Sequence, residues 1–401
     1  MNIIFLTNLY PKENEKEVRS KMRVDMNDAA NALQWNLVNG IEVQGSVELM
    51  LVNRLPVFSW PRNYPEAFVK SFYFSHKEGA NDITPGFCNI TGIKQFVGDK
   101  AFVKQVINMC DNRDESIILM YSLQPAFLKA VKEIKRLNPQ TKVCAIVADL
   151  PQFSAVTHGI ISRLFHQFNC SQIYKNLKYI DGFVLLTKQM AKKMEIKVPY
   201  IVMEGIAPSR TSNGVIKKKN TEKRKILYTG SMNSQYGICV LLEAFSMIEN
   251  PNIELHLCGL GNAEERVKEY ANKDHRIIFY GKISRSEVLK LQSEVDVLVN
   301  PRQNNEEFTK YSFPSKNLEY LSSGVPLVAY KLDGIPDEYD EYINYVEDSS
   351  SKALAVKLQQ ICELDDETRA QIGQKAQKFV LENKNHIVQA QKILRFICEN
   401  I

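Results

Sequence analysis

Short apolar runs alternate along this chain with segments whose apolar residues recur at helical spacing. NIIFLTN opens the sequence as such a run, and a helical pattern follows near Arg19–Val38. SVELMLVN, SIILMYS, KVCAIVA, DGFVLLT and YIVMEG repeat the short-run signature, separated by helical segments such as QPAFLKAVKEIKRL and KQMAKKME. Residues 55–100 are aromatic-rich and show no regular period, so no element is assigned there. Pro208–Lys225, PSRTSNGVIKKKNTEKRK, is polar and charged, the composition of a linker. The runs then resume as KILYTGS, IELHLCG, RIIFYGK, VDVLVNP and PLVAY, most of them ending at Gly, Ser or Pro. Strand and helix in alternation predict an α/β class with parallel sheets flanked by helices. Two such arrays joined by a linker predict two doubly wound, Rossmann-like domains, 1–207 and 208–381, facing a cleft. The tail from Glu367 to Ile401 reads as helical, and its last part, about 382–401, is expected to pack back onto the first domain.

One run carries candidate chemistry. YSFPSKNLEYLSSGVPLVAY, Tyr311 to Tyr330, reads as a helix from about Ser315 to Ser322, closed by Gly324 and Pro326, and then a buried strand. Ser315 is the expected N-cap, and Lys316 and Glu319 fall in the first turn. A helix start offers backbone N–H groups and a partial positive charge, which suits a diphosphate. A carboxylate one turn further in suits a ribose diol. The same residues also fit an ordinary αβ unit with Glu319 solvated.

Composition narrows the classes. With 44% apolar and 24% charged residues, the chain has the make-up of a water-soluble globular protein. No stretch of eighteen apolar residues occurs, so no transmembrane helix is expected, and MNIIFLTNLYP reads as a first strand, not a signal peptide. The eight cysteines form no CxxC and read as reduced core residues of a cytoplasmic protein. The histidines show no ligand spacing; His158 and His166 lie eight apart on an expected helix. No metal site is expected. The net charge of +5 is unevenly spread: residues 1–205 hold 25 Lys and Arg against 19 Asp and Glu, and the remainder 26 against 27. That basic half fits an anionic membrane surface or a phosphorylated acceptor, and equally a set of scattered solvated helix faces. Nucleic acid is disfavoured, because no recognition motif accompanies the charges.

In the second half, LYTGSMNSQYGICVLLEAF, LHLCGLGNAEERV, IIFYGKISRSEVLKLQSEVDVLVNP and FPSKNLEYLSSGVPLVA follow one another in an order that resembles glycosyltransferase family 4. These are retaining, metal-independent enzymes of the GT-B fold. In the first half DLP, LLT and EGIAP match only the general pattern of that fold. The resemblance implies donor-binding roles residue by residue. Gly230, Ser231, Gly259 and Gly261 would let the backbone approach the donor phosphates. Gly281, Lys282 and Ile283 would meet the nucleobase, and Glu319 would hold the ribose hydroxyls. SFPSKNLEY is similar to a branch seen in bacterial polysaccharide assembly, in which the lysine is typical.

Two departures stand out. Tyr311 occupies the position, eight before Glu319, where the family carries a first glutamate beside the transferred sugar; Glu306 and Glu307 are out of register. The family's Arg and Lys near the first glycine loop are also missing from GSMNSQYG. Lys316, with Ser315 at the helix start, is the expected substitute for neutralising the diphosphate. Asp149, at the end of KVCAIVAD, is expected either to orient a sugar or to serve as a turn residue. The implied activity is transfer from a nucleotide-diphosphate sugar, UDP-sugar favoured, to a saccharide or lipid-linked acceptor, with no cofactor. Its expected setting is the cytoplasm, with the inner face of the cell membrane as a candidate location. A nucleotide-sugar epimerase of the same fold and a catalytically silent binding subunit stay open as alternatives.

Overall fold

The structure is a computed structural model that describes residues 1–24, 26–94, 99–111, 116–153, 159–208 and 223–401. Most of the linker read at Pro208–Lys225, and His158, lie outside these residues. The chain divides into two compact units, Met1–Glu204 with His386–Ile401, and Gly205–Asn385.

The first unit is built on an eight-stranded sheet. Its strands are β1 (Asn2–Thr7), β2 (Glu48–Asn53), β4 (Phe72–Phe74), β5 (Asp82–Thr84), β7 (Ser116–Tyr121), β8 (Val143–Val147), β9 (Gly182–Leu185) and β10 (Tyr200–Val202). They run in the order β10-β9-β8-β7-β1-β2-β5-β4, parallel throughout except for β4 against β5. All five residues of β8 are buried, as expected of a parallel strand covered on both faces. The helical pattern near Arg19–Val38 is two helices, Glu15–Lys21 and Asp28–Val43. Met22 turns extended after the first, and the Asn27 side chain caps the second by accepting the Ala30 N–H at 3.1 Å. In the aromatic segment the strands are two or three residues long, too short to show a period; β3 (Phe68–Val69) and β6 (Phe87–Cys88) pair apart from the main sheet.

The helical tail is likewise two elements, Asp366–Asn383 and His386–Asn400, and the break between them coincides with the change of unit. The last helix lies against Asp28–Val43 at Gly40, where a Cβ would stand 2.2 Å from the His386 carbonyl oxygen. Lys392 Nζ donates to the Val202 carbonyl at 2.8 Å, tying this helix to the sheet edge. All eight cysteines are free thiols, but only Cys144, Cys258 and Cys362 are buried and Cys398 is exposed. The core placement expected of the set therefore needs correction. Among the described residues no helix is long and apolar enough to cross a membrane.

The second unit holds a six-stranded, all-parallel sheet in the order β13-β12-β11-β14-β15-β16. The strands are β11 (Arg224–Thr229), β12 (Ile253–Cys258), β13 (Ile277–Gly281), β14 (Val297–Asn300), β15 (Leu327–Ala329) and β16 (Asn344–Tyr345). The chain adds β12 and β13 on one side of β11, then returns to lay β14 on the other. Connections therefore diverge at the carboxyl ends of β11 and β14, the position where such sheets hold ligands.

A buried ion cluster organises the irregular part of the first unit. The fully buried His76 imidazole lies between two carboxylates, Nδ1 2.6 Å from Asp82 and Nε2 2.9 Å from Glu42. Asp82 also accepts the Leu51 and His76 N–H groups, at 2.9 and 2.7 Å, which joins β2, β5 and the helix Asp28–Val43. Burial would push the His76 pKa down, but Asp82 and Glu42 outweigh it and the pKa is raised. A raised folded value means that the stabilisation is complete below the ordinary histidine pKa, about 6.5, and fades as pH climbs through the folded value. Urea unfolding across neutral pH should therefore show stability falling as pH rises, and His76→Gln should flatten that slope. Removing one member of such a buried pair should cost about 3–5 kcal/mol. A wild-type profile without the slope would contradict this assignment.

Candidate functional site

At the carboxyl edge of the second sheet the ladder continues past the strands. Gly230 N–H donates to Cys258 O at 2.9 Å, and Gly259 N–H to Gly281 O at 2.8 Å. Glycine is demanded at 259, where φ is +141° and a Cβ would lie 1.7 Å from Gly230 O. Beyond the glycines the two loops are stitched together. Met232 N–H donates to Leu260 O and Ala263 N–H to Met232 O, both at 2.9 Å. Asn262 Oδ1 accepts Ser234 N–H at 2.8 Å while Asn233 Oδ1 accepts Asn262 N–H at 2.9 Å. Gly230, Ser231, Gly259 and Gly261 thus share one rigid loop pair. Gly281, with Lys282 and Ile283, forms the neighbouring strand end and leads into the helix Arg285–Glu294, closed by a Ser284/Glu287 capping box.

The other wall is the helix Ser315–Leu321, which follows β14. Its N-cap is Pro314, with no side-chain cap. The expectation that Ser315 caps the helix is therefore corrected: Ser315 is the first helical residue, because Pro314 already supplies the extended backbone at the entry. From Asn317 to Leu321 every side chain is buried. Tyr320 reaches the end of β11, where its hydroxyl accepts Thr229 N–H at 2.8 Å and donates to Thr229 O at 2.9 Å.

That anchorage fixes Glu319, whose carboxylate is the electrostatic centre of the edge. Gln292 donates to Oε1 at 2.7 Å and also to Thr229 Oγ1 at 3.0 Å. Lys316 Nζ donates to Oε1 at 2.8 Å, and Arg285 lies 3.2 Å from Oε2. Burial alone would raise the Glu319 pKa, yet Lys316, the Gln292 amide and Arg285 outweigh it and hold the value at about 2. The group is an ionised acceptor of fixed position, and two carboxylate oxygens have room for further donors. Lys316 is thus paired with Glu319 rather than standing alone at the helix start. Its charge also reaches Cys258 at the end of β12, where it opposes the rise that burial imposes on the thiol.

Tyr311 ends the short turn Glu307–Tyr311 and is half-buried. Asp149 belongs to the first unit, exposed in the bend between β8 and the turn Pro151–Phe153. Gln292 and Arg285 were not anticipated from the sequence. A glutamine inside KLQSEV and an arginine after a cap residue have the appearance of ordinary helix surface, and only the packing of that helix beside β11 turns them toward Glu319.

Residues 209–379 match the family model described as glycosyl transferases group 1. No curated protein matches the chain. Solved structures align along the whole length. The lipopolysaccharide outer core galactosyltransferase WaaB, in its apo form, is 13% identical with a TM-score of 0.63, covering 100% of this chain and 100% of that one. The chain has the GT-B fold. HepE of Anabaena, in complex with UDP, shares this fold at 15% identity and a TM-score of 0.61, over 99% of this chain and 100% of its own. The trehalose-6-phosphate protein of E. coli bound with UDP-2-fluoro glucose aligns at 8% identity and a TM-score of 0.67, covering 100% of both chains. At these identities the likeness carries the fold alone, so the chemistry of this GT-B chain must be argued from its own residues.

Proposed function

We propose that the chain is a retaining glycosyltransferase that moves a sugar from a nucleotide-diphosphate sugar to a saccharide or lipid-linked acceptor without a metal ion. The observation that carries this reading is Glu319, an ionised and rigidly held acceptor beside the stitched glycine loops, within the segment that matches glycosyl transferases group 1. In the proposed complex Glu319 accepts the ribose hydroxyls and the loops at Gly230 and Gly259 face the diphosphate. Gly281, Lys282 and Ile283 border the base. A uridine nucleotide is favoured because two of the similar structures hold UDP or a UDP-sugar analogue.

In the transfer step the bond between the anomeric carbon and the diphosphate oxygen breaks and a bond to the acceptor oxygen forms on the same face. The acceptor proton passes to the departing phosphate. Negative charge grows on the leaving group, so a fixed cation acts more strongly on the transition state than on the bound donor. Lys316 has this role in our reading, and its present pairing with Glu319 keeps it at the edge of the site. Tyr311 borders the transferred sugar and Asp149 the acceptor side. The branch resemblance of SFPSKNLEY and the likeness to a lipopolysaccharide galactosyltransferase both favour an acceptor of bacterial polysaccharide assembly, met from the cytoplasm.

Purified protein incubated with a panel of nucleotide sugars, with and without a lipid-linked saccharide, should release nucleotide and form product only when both substrates are present. Turnover should survive excess chelator. Conversion of the sugar without an acceptor would favour an epimerase, no turnover with retained nucleotide binding a silent subunit, and loss in chelator a metal-dependent mechanism.

Glu319→Gln should weaken nucleoside diphosphate binding roughly ten- to hundredfold, the worth of charged hydrogen bonds to two hydroxyls. Lys316→Ala should leave Gln292 and Arg285 on the carboxylate and cost on the order of a hundredfold in turnover with little change in melting temperature. Calorimetric titration and steady-state kinetics read the two effects, and normal values in either variant would remove that residue from the proposed site.

The basic half of the chain, 25 Lys and Arg against 19 Asp and Glu over residues 1–205, supports reversible contact with the anionic inner face of the membrane. Vesicles containing anionic lipid should retain the protein at low salt and release it at high salt. Failure to co-sediment at low salt would rule out this contact.

A further inference from the structure

Three large aromatic side chains of the first unit stand in solvent: Phe58, Trp60 and Phe68, with 45%, 36% and 65% of their area exposed. Backbone pairing puts them on one surface. β3 and β6 are antiparallel, with Phe68 opposite Cys88 and Val69 opposite Phe87. On the other flank Trp60 bridges to Ile90, and its N–H donates to Asn89 O at 2.9 Å. The fully buried Asn89 fastens both neighbours, because its Nδ2 donates to Phe58 O at 2.9 Å and to Glu66 O at 3.1 Å. Side chains alternate across such a ribbon. Val57, Val69 and Phe87 enter a core cluster with Tyr10, Val18 and Leu55. Phe58, Trp60 and Phe68 therefore lie on the opposite face, with Cys88 and Ile90 between them.

The rim of this face is basic. Arg62 follows Trp60 by two residues, Lys70 follows Phe68 by two, and Arg23 donates to Pro61 O at 3.0 Å. All three are exposed, and among the described residues none of them meets a carboxylate. The one acid between Arg54 and Lys77 is Glu66, and Lys21 holds it at 2.6 Å. Exposed apolar residues scattered singly need no explanation, but a cluster rimmed by charge of one sign marks a contact surface. Tyr10 and Leu55, which tie the ribbon to the unit, come just after the carboxyl ends of β1 and β2. The face therefore belongs to the edge of the first sheet at which a doubly wound unit receives its ligand.

We propose that this aromatic face docks on an anionic lipid surface, with the rings entering the headgroup boundary and Arg23, Arg62 and Lys70 meeting lipid phosphates. The inference rests on the membrane contact and lipid-linked acceptor proposed above, and deepens them by naming the surface. Aromatic rings suit that boundary, where an apolar body leaves water and a polar tip such as the indole N–H stays wet. Each exposed cation adds attraction to anionic headgroups, which salt screens. A saccharide would need polar groups beside the rings to meet its hydroxyls. Here the rings are accompanied by Cys88, Ile90 and cations, and the only nearby acid is neutralised. Charge draws the protein to the lipid, and the rings fix which face meets it. That orientation keeps the ligand edge of the first sheet against the membrane, where a lipid-linked acceptor is held.

The test uses the full chain at low salt with vesicles of equal parts phosphatidylcholine and phosphatidylglycerol. The chain has two tryptophans, and Trp35 is buried, so bromine on the upper acyl chains reports on Trp60. Vesicles should shift the tryptophan emission to shorter wavelength, and brominated lipid should quench it. The double variant Phe58→Ser with Phe68→Ser should lower the vesicle partition coefficient roughly tenfold, through lost apolar burial. Arg62→Gln and Lys70→Gln should each lower it about fivefold and make its salt dependence shallower. The quenching needs no substitution, so it carries the test if the double variant melts early. Binding without quenching, or binding that ignores the aromatic substitutions, would place the membrane contact elsewhere and overturn this surface alone. If wild-type protein does not bind the vesicles, the membrane contact itself falls and this inference with it. Self-association without lipid that the double variant abolishes would assign the face to a second copy of the chain and overturn the lipid reading.

Discussion

The Tyr320 hydroxyl, accepting from Thr229 N–H at 2.8 Å and donating to Thr229 O at 2.9 Å, is the contact on which the carboxyl edge of the second sheet depends. It satisfies both backbone groups at the last residue of β11, where the ladder would otherwise leave them unmet in a buried place. It also clamps a helix of seven residues, too short to hold its own geometry without tertiary support. Glu319 is adjacent on that helix, and Gln292 bridges from Thr229 to Glu319, so strand end, helix and carboxylate move as one body.

A second constraint is electrostatic. A buried carboxylate is stable only with partners, and Glu319 has an amide and two cations from two helices. The site is arranged around fixed charge before any ligand arrives, the condition under which charge developing in a reaction is stabilised without reorganisation. The glycines across the edge serve the same end through shape. The 1.7 Å separation that a Cβ on Gly259 would have from Gly230 O means that backbone, with its N–H dipoles, forms that wall.

The alternating apolar runs made both sheets legible in the sequence, because strands buried on both faces show as unbroken apolar stretches. KVCAIVA and VDVLVNP became β8 and β14. What escaped was local. The strands between Phe68 and Cys88 are too short to carry a period, and the break after Lys21 depends on backbone turning at Met22, which no periodicity records. At the site, Lys316 and Glu319 were visible because they share a helical turn. Gln292, Arg285 and Tyr320 were not, because their roles arise from which helix lies beside β11, and that is a property of strand order. Ser315 shows the converse error: a good capping residue type preceded by a proline that already occupies the cap.

The most direct test of the account is a crystal structure of the chain with the nucleoside diphosphate it binds best. The account places the ribose hydroxyls within hydrogen-bond distance, about 2.5–3.2 Å, of the Glu319 carboxylate, and the diphosphate against the Gly230–Gly237 loop within reach of Lys316. A nucleotide seated elsewhere, or a ribose that leaves Glu319 with only its present partners, would contradict it.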